Sequence, residues 1–161
     1  MIREIGEPRF EFDCVSTEAL EKLIDLKRKR YQRGKTFDIL SVEWAANLLR
    51  QLHHTNGQNF QGILSALWVG DKMIAGHFGM LSNHVMHYWF PAYDIKYAKY
   101  SPGTQMIMNV AEHAAKLGID KVDFGYGDDP YKFKFCNGRE TVSCGQFRFN
   151  RLAFQLSLIH I

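Results

Sequence analysis

The stretch FPAYDIKYAKYSPGT, residues 90 to 104, takes the chain out of a strand and into a helix, and its two prolines mark both changes. Pro91 has no N–H, so a strand that reaches it cannot be fully paired on both sides, and pairing is expected to break at Phe90-Pro91-Ala92-Tyr93. Further on, Ser101 is placed as a helix N-cap with Pro102 at the first helical position, and Gly118 lies just past the end. Met106, Val110, Ala114 and Leu117 give this helix an apolar face. A helix start presents unpaired backbone N–H groups and the positive end of the dipole, so it can hold phosphate without a charged side chain. Gly103 in the first turn lets an anion approach closely. Ser-Pro-Gly is also an ordinary helix start; the broken strand beside it is what makes it a candidate site. The free backbone groups of such an edge suit an extended ligand, such as a pantetheine arm.

Upstream, three apolar runs, Ile63 to Val69, Met73 to Leu81 and Val85 to Phe90, are separated by Gly70-Asp71 and Ser82-Asn83 and read as an antiparallel meander. Before them, Arg9 to Cys14 reads as a strand. Ser16 or Thr17, with Glu18 in the next turn, starts an amphipathic helix that runs to about Arg33 and ends at Gly34. After Ser41, Trp44, Ala45, Leu48, Leu49 and Leu52 fall on one face of a second helix closed by Asn56-Gly57. Downstream, Ile119 to Phe124 is a strand, GYGDDP is turn-rich, and Thr141 to Phe149 is the last expected strand. The order is β-α-α-β-β-β-α-β, then a loop and a strand.

With 161 residues, 46% of them hydrophobic, the chain has the size of one domain with a real core. It has no apolar run near the roughly 20 residues that cross a bilayer, and Arg3, Glu4 and Glu7 leave no room for a signal-peptide core, so a cytoplasmic protein is expected. Cys14, Cys136 and Cys144 are an odd set without C-x-x-C spacing and are expected to be free thiols. The net charge of +3 is modest, and its densest basic stretch, Lys27 to Lys35, continues a helical pattern and reads as a solvated face. No metal site is expected: His84 and His87, three apart on an expected strand, point to opposite faces, and His53 and His54 are adjacent near a helix end.

The segment DFGYGDDPYKFKF, residues 123 to 135, gathers Asp123, Asp128, Asp129, Tyr126, Tyr131, Lys132 and Lys134 where a strand gives way to a loop. These groups supply acid, base and charge-pairing chemistry together, although Gly, Asp and Pro are also usual residues of a surface turn. Its D-F-G is not a kinase signature, since no Gly-rich loop, strand lysine or H-R-D precedes it. G-Y-G lacks the βαβ context of a nucleotide fold.

Taken in order, YSPG (Tyr100 to Gly103), a helix, DFGYGD (Asp123 to Asp128) and Tyr131-Lys132 resemble the GNAT-type acetyltransferase domain of the FemAB-like and CelD-like branch. Arg30 to Gly34 (RYQRG), and the strand pair joined at Gly70-Asp71 with Ala75 in its second strand, are similar too, so the resemblance spans about Arg9 to Phe149. It implies an α/β (α+β) GNAT fold, a mixed, mostly antiparallel sheet flanked by helices, over residues 9–150, with a leader at 1–8. It also implies acyl-CoA, in particular acetyl-CoA, as co-substrate and transfer to an amine or hydroxyl of a small-molecule or saccharide acceptor in cell-envelope polysaccharide biosynthesis. FemAB-like relatives use aminoacyl-tRNA to build peptidoglycan cross-bridges, and nucleic acid would be a partner in that case alone. Proteins of this branch commonly carry a preceding GNAT-like half, so the chain is expected to be the later half of a longer protein. The closing LSLIHI follows no turn signal, and residues 155–161 read as a non-native tail.

The resemblance assigns donor binding to Phe90, Ala92, Tyr93, Ser101, Pro102, Gly103 and Thr104, with backbone N–H groups between Phe90 and Tyr93 facing the oxyanion. Asp123 is expected to orient or deprotonate the acceptor, Tyr131 to protonate the leaving thiolate, and Lys132 to pair with Asp123 or a phosphate. Cys136 has no histidine near it in sequence and is not expected to act as a nucleophile. The alternatives are a tRNA-dependent aminoacyltransferase and a non-catalytic module of the same fold.

Overall fold

Tight hairpins between long, largely buried strands build most of the sheet. The computed structural model describes residues 2–143 and 145. Strands β2 (Phe60–Val69) and β3 (Lys72–Ser82) meet across Gly70-Asp71, with Gly70 at φ 55°, a left-handed conformation that glycine adopts freely. Strand β3 joins β4 (Val85–Tyr93) through Asn83 and His84, both at positive φ (47° and 62°), as a two-residue hairpin of the primed type requires. The sequence placed this turn at Ser82-Asn83; the structure moves it one residue on, so His84 belongs to the turn and not to a strand face. Strand β1 (Pro8–Glu11) pairs antiparallel with β2, and β5 (Lys121–Asp123) pairs parallel with the start of β4, giving the order β1-β2-β3-β4-β5. Strand β1 is shorter than the expected Arg9 to Cys14, although the Cys14 N–H still donates to Leu64 O at 2.7 Å.

A four-residue helix, α1 (Ile2–Ile5), occupies the stretch read as a leader. Helix α2 (Thr17–Gly34) is capped by the Ser16 hydroxyl, which accepts from the Ala19 N–H at 3.2 Å. At its far end the left-handed residue is Lys35 (φ 51°), one past the expected Gly34. Helix α3 (Glu43–His53) follows. Leu20, Leu23, Leu49, Leu64 and Phe78 join in one buried cluster between α2, α3 and one face of the sheet. Truncating a core phenylalanine of this kind to alanine costs about 3 to 5 kcal/mol.

Helix α4 (Pro102–Lys116) covers the opposite face with Met106, Ile107, Val110 and Ala114 buried. It ends on Gly118 (φ 68°): the Ile119 N–H donates to Ala114 O at 2.9 Å and the Gly118 N–H to Ala115 O at 3.4 Å, the paired bonds of a glycine-terminated helix. The path β4–α4–β5 is thus a parallel crossover, and it brings the start of α4 beside the end of β4.

The chain divides into two compact units, Met1–Gly127, which holds the sheet and helices α1 to α4, and Asp128–Ile161. The second contains helix α5 (Pro130–Phe135), which the sequence was expected to leave as loop; six residues are too few to show helical periodicity. Thr141 to Ser143 form no strand, and the rest of the strand expected to reach Phe149 falls, apart from residue 145, outside the described residues. Cys14 is buried and, like Cys136, a free thiol; Cys144 lies outside the described residues. Among the described residues no helix is long and apolar enough to cross a membrane.

Candidate functional site

Strands β4 and β5 pair only from Val85↔Lys121 to His87↔Asp123. Beyond that point β4 continues for six residues to Tyr93 with no described strand on its outer side, while its inner side stays in register with β3 through Ala75↔Tyr93. A bulge between Phe78 and Gly79 places Trp89 as the extra residue of β4, where the strand bends away. On the outer side pairing stops at His87, before Pro91, while on the inner side it runs on past Pro91, so the break expected at Phe90-Pro91-Ala92-Tyr93 does not touch the β3 ladder. The reason is the phase of the ladder. The Asp94 N–H donates to Ile74 O at 2.9 Å, so by alternation Ala92 and Phe90 turn their backbone groups to β3, while Pro91 and Tyr93 turn theirs to the open edge. Pro91 costs the β3 ladder nothing.

The start of α4 abuts this edge. Ser101 sits at the N-cap in the left-handed region (φ 52°), and its side chain makes no capping bond, so the expected Ser101 cap is one of position only. The first-turn N–H groups are not closed off by their own cap residue. A Cβ on Gly103 would lie 3.5 Å from the Tyr93 ring, which puts the last residue of β4 against the first turn of α4. Pro102 is buried, Gly103 partly so and Thr104 exposed. A 3-10 turn, Ile95–Tyr100, leads into the helix and is tied to α1: Lys99 Nζ and the Tyr100 hydroxyl donate to the Glu4 carboxylate at 2.7 and 2.5 Å. Those two bonds hold the Glu4 carboxyl below its ordinary pKa.

At the vertex, where β4 and β5 part, lies a ring stack. The His77 imidazole is stacked on Tyr88 (centroids 3.9 Å apart, planes within 6°), and Tyr88 meets Phe124 edge to face at 5.5 Å. His77 is fully buried, and neither ring nitrogen has a hydrogen-bond partner among the described residues. Burial, with a smaller contribution from the Lys27 charge, pushes its pKa down to about 3, so the ring is neutral throughout the physiological range. Gly79 makes room for it: a Cβ there would stand 2.8 Å from the imidazole and 2.3 Å from His87 O.

Asp123 closes β5, and its Oδ1 accepts from the Gly125 N–H at 2.8 Å, a local turn that fixes the carboxylate at the strand end. Tyr131 and Lys132 belong to α5 in the second unit, where Lys132 Nζ lies 3.6 Å from Asp129 Oδ2. The structure thus brings together the Phe90 to Tyr93 edge and the Ser101 to Thr104 helix start, with Asp123 on the strand beside the vertex. A separate hollow of about 320 Å³, with Glu18, Lys22, Trp68, Asp71, Lys72 and Tyr97 in its lining, shares no residue with this edge or helix start.

A parallel pair that opens beside a helix start sets strand-edge backbone groups next to helix-start N–H groups. The profile described as "Acetyltransferase (GNAT) domain" matches residues 2–133. The chain belongs to the GNAT acetyltransferase family. Its mixed five-stranded sheet flanked by helices is the GNAT fold, and the domain is an N-acetyltransferase of a family that takes its acetyl group from acetyl-CoA. Among solved structures, an aminoglycoside acetyltransferase from an uncultured soil metagenomic sample, in complex with sisomicin, is similar in fold at 17% identity and a TM-score of 0.61, over 93% of this chain and 100% of that one. A GNAT family acetyltransferase of Staphylococcus aureus (12% identity, TM-score 0.54, 86% and 98% covered) also shares the fold. Glucosamine-6-phosphate N-acetyltransferase from Arabidopsis thaliana does so as well (10% identity, TM-score 0.52, 90% and 100% covered). No curated protein matches the sequence.

One residue of this GNAT domain escaped the reading of the sequence. Lys27, assigned there to a solvated basic face, is only 8% exposed; its Nζ donates to Pro91 O at 3.2 Å and lies over the Tyr31 and Phe90 rings at 5.3 and 5.6 Å. The signal was present. Leu20, Leu23, Ile24, Lys27 and Tyr31 are spaced as one helical stripe, so Lys27 falls on the inward face, while Arg28, Lys29 and Arg30 are exposed.

Proposed function

We propose that this GNAT domain binds acetyl-CoA along the open edge of β4, with the diphosphate at the first turn of α4, and acetylates an amine of a small-molecule or saccharide acceptor. The observation that carries this reading is the contact of Tyr93 with Gly103, which makes one continuous cradle of a strand edge and a helix start. Tyr93 offers edge-facing backbone groups to an extended arm, and the first-turn N–H groups of α4 offer donors to phosphate. In the transfer, the acceptor nitrogen forms a bond to the thioester carbon and the C=O π pair moves onto oxygen. Return of that pair breaks the C–S bond, and sulfur leaves with its electrons as thiolate. The proton lost by the acceptor nitrogen passes to Asp123 directly or through water, and the thiolate takes up a proton from water.

The acetyltransferase structures solved with sisomicin and with trehalose share this fold, which favours amino-sugar or saccharide acceptors. The YSPG and DFGYGD motifs favour the FemAB-like and CelD-like branch and a cytoplasmic enzyme of envelope polysaccharide synthesis. Titration calorimetry with acetyl-CoA, followed by a thiol-release assay across aminoglycosides, glucosamine derivatives and neutral sugars, tests the proposal. Micromolar binding and thiol release with an amino sugar are expected; no heat of binding and no thermal stabilisation at millimolar acetyl-CoA would overturn it. Binding of charged tRNA that weakens steeply with salt would move the donor to aminoacyl-tRNA.

A further inference from the structure

Among the described residues no strand pairs with the outer edge of β4 beyond His87, and that edge has a gap in its own chemistry. Of the backbone groups turned outward after the bulge, those of Pro91 come first and those of Tyr93 second, and Pro91 has no N–H to give. Its carbonyl is already bonded by Lys27 Nζ at 3.2 Å, 64 residues away in sequence. Since that carbonyl faces the edge, the ammonium bonded to it lies within hydrogen-bond distance of the residue that lacks the donor. The rings of Tyr31 and Phe90 flank it, and Lys27 as a residue is buried. A lysine ammonium carries three N–H donors and can serve more than one acceptor.

We propose that Lys27 supplies the hydrogen-bond donor that Pro91 withholds, and that its ammonium binds a carbonyl oxygen of the acyl-pantetheine arm laid along β4. The proposal rests on the reading of this edge as the donor site. Two carbonyls of the arm share that chemistry. At the thioester, the ammonium faces the oxygen that becomes negative on attack, and Lys27 is a catalytic residue. At the neighbouring amide, it fixes the position of the arm and acts on affinity alone.

Lys27→Met keeps length and apolar contact while removing the donor. With acetyl-CoA, its Kd is expected to rise about 10- to 100-fold, the effect of losing one charge-assisted hydrogen bond in a dry site. CoA, which lacks the acyl carbonyl, separates the two positions: equal losses for acetyl-CoA and CoA place the ammonium on the amide. A loss for acetyl-CoA alone, with a matching fall in kcat, places it on the thioester. Pro91→Ala restores an edge N–H, and in the Lys27→Met background it is expected to recover part of the lost affinity, which a purely structural lysine would not allow. In wild-type protein carrying 15N-lysine, with the resonance assigned by Lys27→Arg, acetyl-CoA is expected to shift the Lys27 ammonium signal; this readout does not depend on the folding of Lys27→Met. Unchanged affinities and kcat/KM in a folded Lys27→Met protein, or an unmoved ammonium signal at saturating acetyl-CoA, would overturn the proposal. Failure of the wild type to bind either ligand would instead overturn the donor-site reading, and this proposal with it.

Discussion

Replacing His77 by phenylalanine should stabilise the domain, and by far more in acid than at neutral pH. Phenylalanine keeps a ring against Tyr88 and removes two buried nitrogens that have no partner among the described residues. An unsatisfied buried polar group costs about 1 to 3 kcal/mol, partly offset here by the fit of a slightly bulkier ring beside Gly79. The pH dependence is sharper. An unfolded histidine titrates near 6.5, whereas folded His77 stays neutral down to about pH 3. Between those values the unfolded chain binds a proton that the folded chain refuses, so stability conferred by the native state falls as the pH drops through the window. At about pH 4.5 the difference is roughly two pH units, or about 2.7 kcal/mol. Burial also pushes the Asp13 carboxyl up, while hydrogen bonds hold Glu4, Glu18, Glu21 and Glu112 down, but both proteins share these groups and their contributions cancel in the comparison. Urea denaturation of wild type and His77→Phe at about pH 7.5 and 4.5 measures the effect. The advantage of the variant should grow by about 2 to 3 kcal/mol on acidification. An advantage of equal size at both pH values would mean that folded His77 takes up its proton normally, and the argument from burial would fail.

Gly103→Val should leave the fold intact yet weaken CoA binding about ten-fold, because a branched side chain beside Tyr93 crowds the first turn where phosphate would rest; unchanged affinity by calorimetry would move the phosphate site elsewhere. Asp123→Asn preserves the acceptor for the Gly125 N–H and removes only the charge, so kcat should fall by about 10²-fold or more with the KM for acetyl-CoA unchanged, and full turnover would exclude Asp123 as the base. Gly79→Ala presses a methyl group against both His87 O and the imidazole, and a loss of about 1 to 3 kcal/mol, read as a fall of several degrees in Tm, is expected.

Most of the architecture was legible because it is written in local rules. The hairpin glycine, the Ser16 cap, the Pro102 start and the Gly118 stop each satisfy a backbone requirement within a few residues. The errors arose where the deciding partner is distant. Pro91 alone announces an interrupted ladder, but which side is lost depends on the register with β3, set from the Asn83-His84 turn. Likewise, the charge of Lys27 drew it into the solvated face, although its helical phase put it inward; the carbonyl that receives it is 64 residues away. His77 sits in a run whose burial was evident, yet nothing local shows that its ring would stack on Tyr88 across the bulge.

A strand with one bare edge invites another strand, from a second copy or from a partly unfolded chain, to add to it. Here the middle of the bare stretch is Pro91, which has no donor, and Lys27 already occupies its acceptor. An incoming strand would meet a missing bond and a positive charge at the same rung. A ligand arm needs only a few bonds and can take one of them from the Lys27 ammonium, whereas a polypeptide strand depends on a regular ladder, which Pro91 interrupts. Among the described residues, the rung that Pro91 and Lys27 make on β4 thus also opposes self-association along that edge.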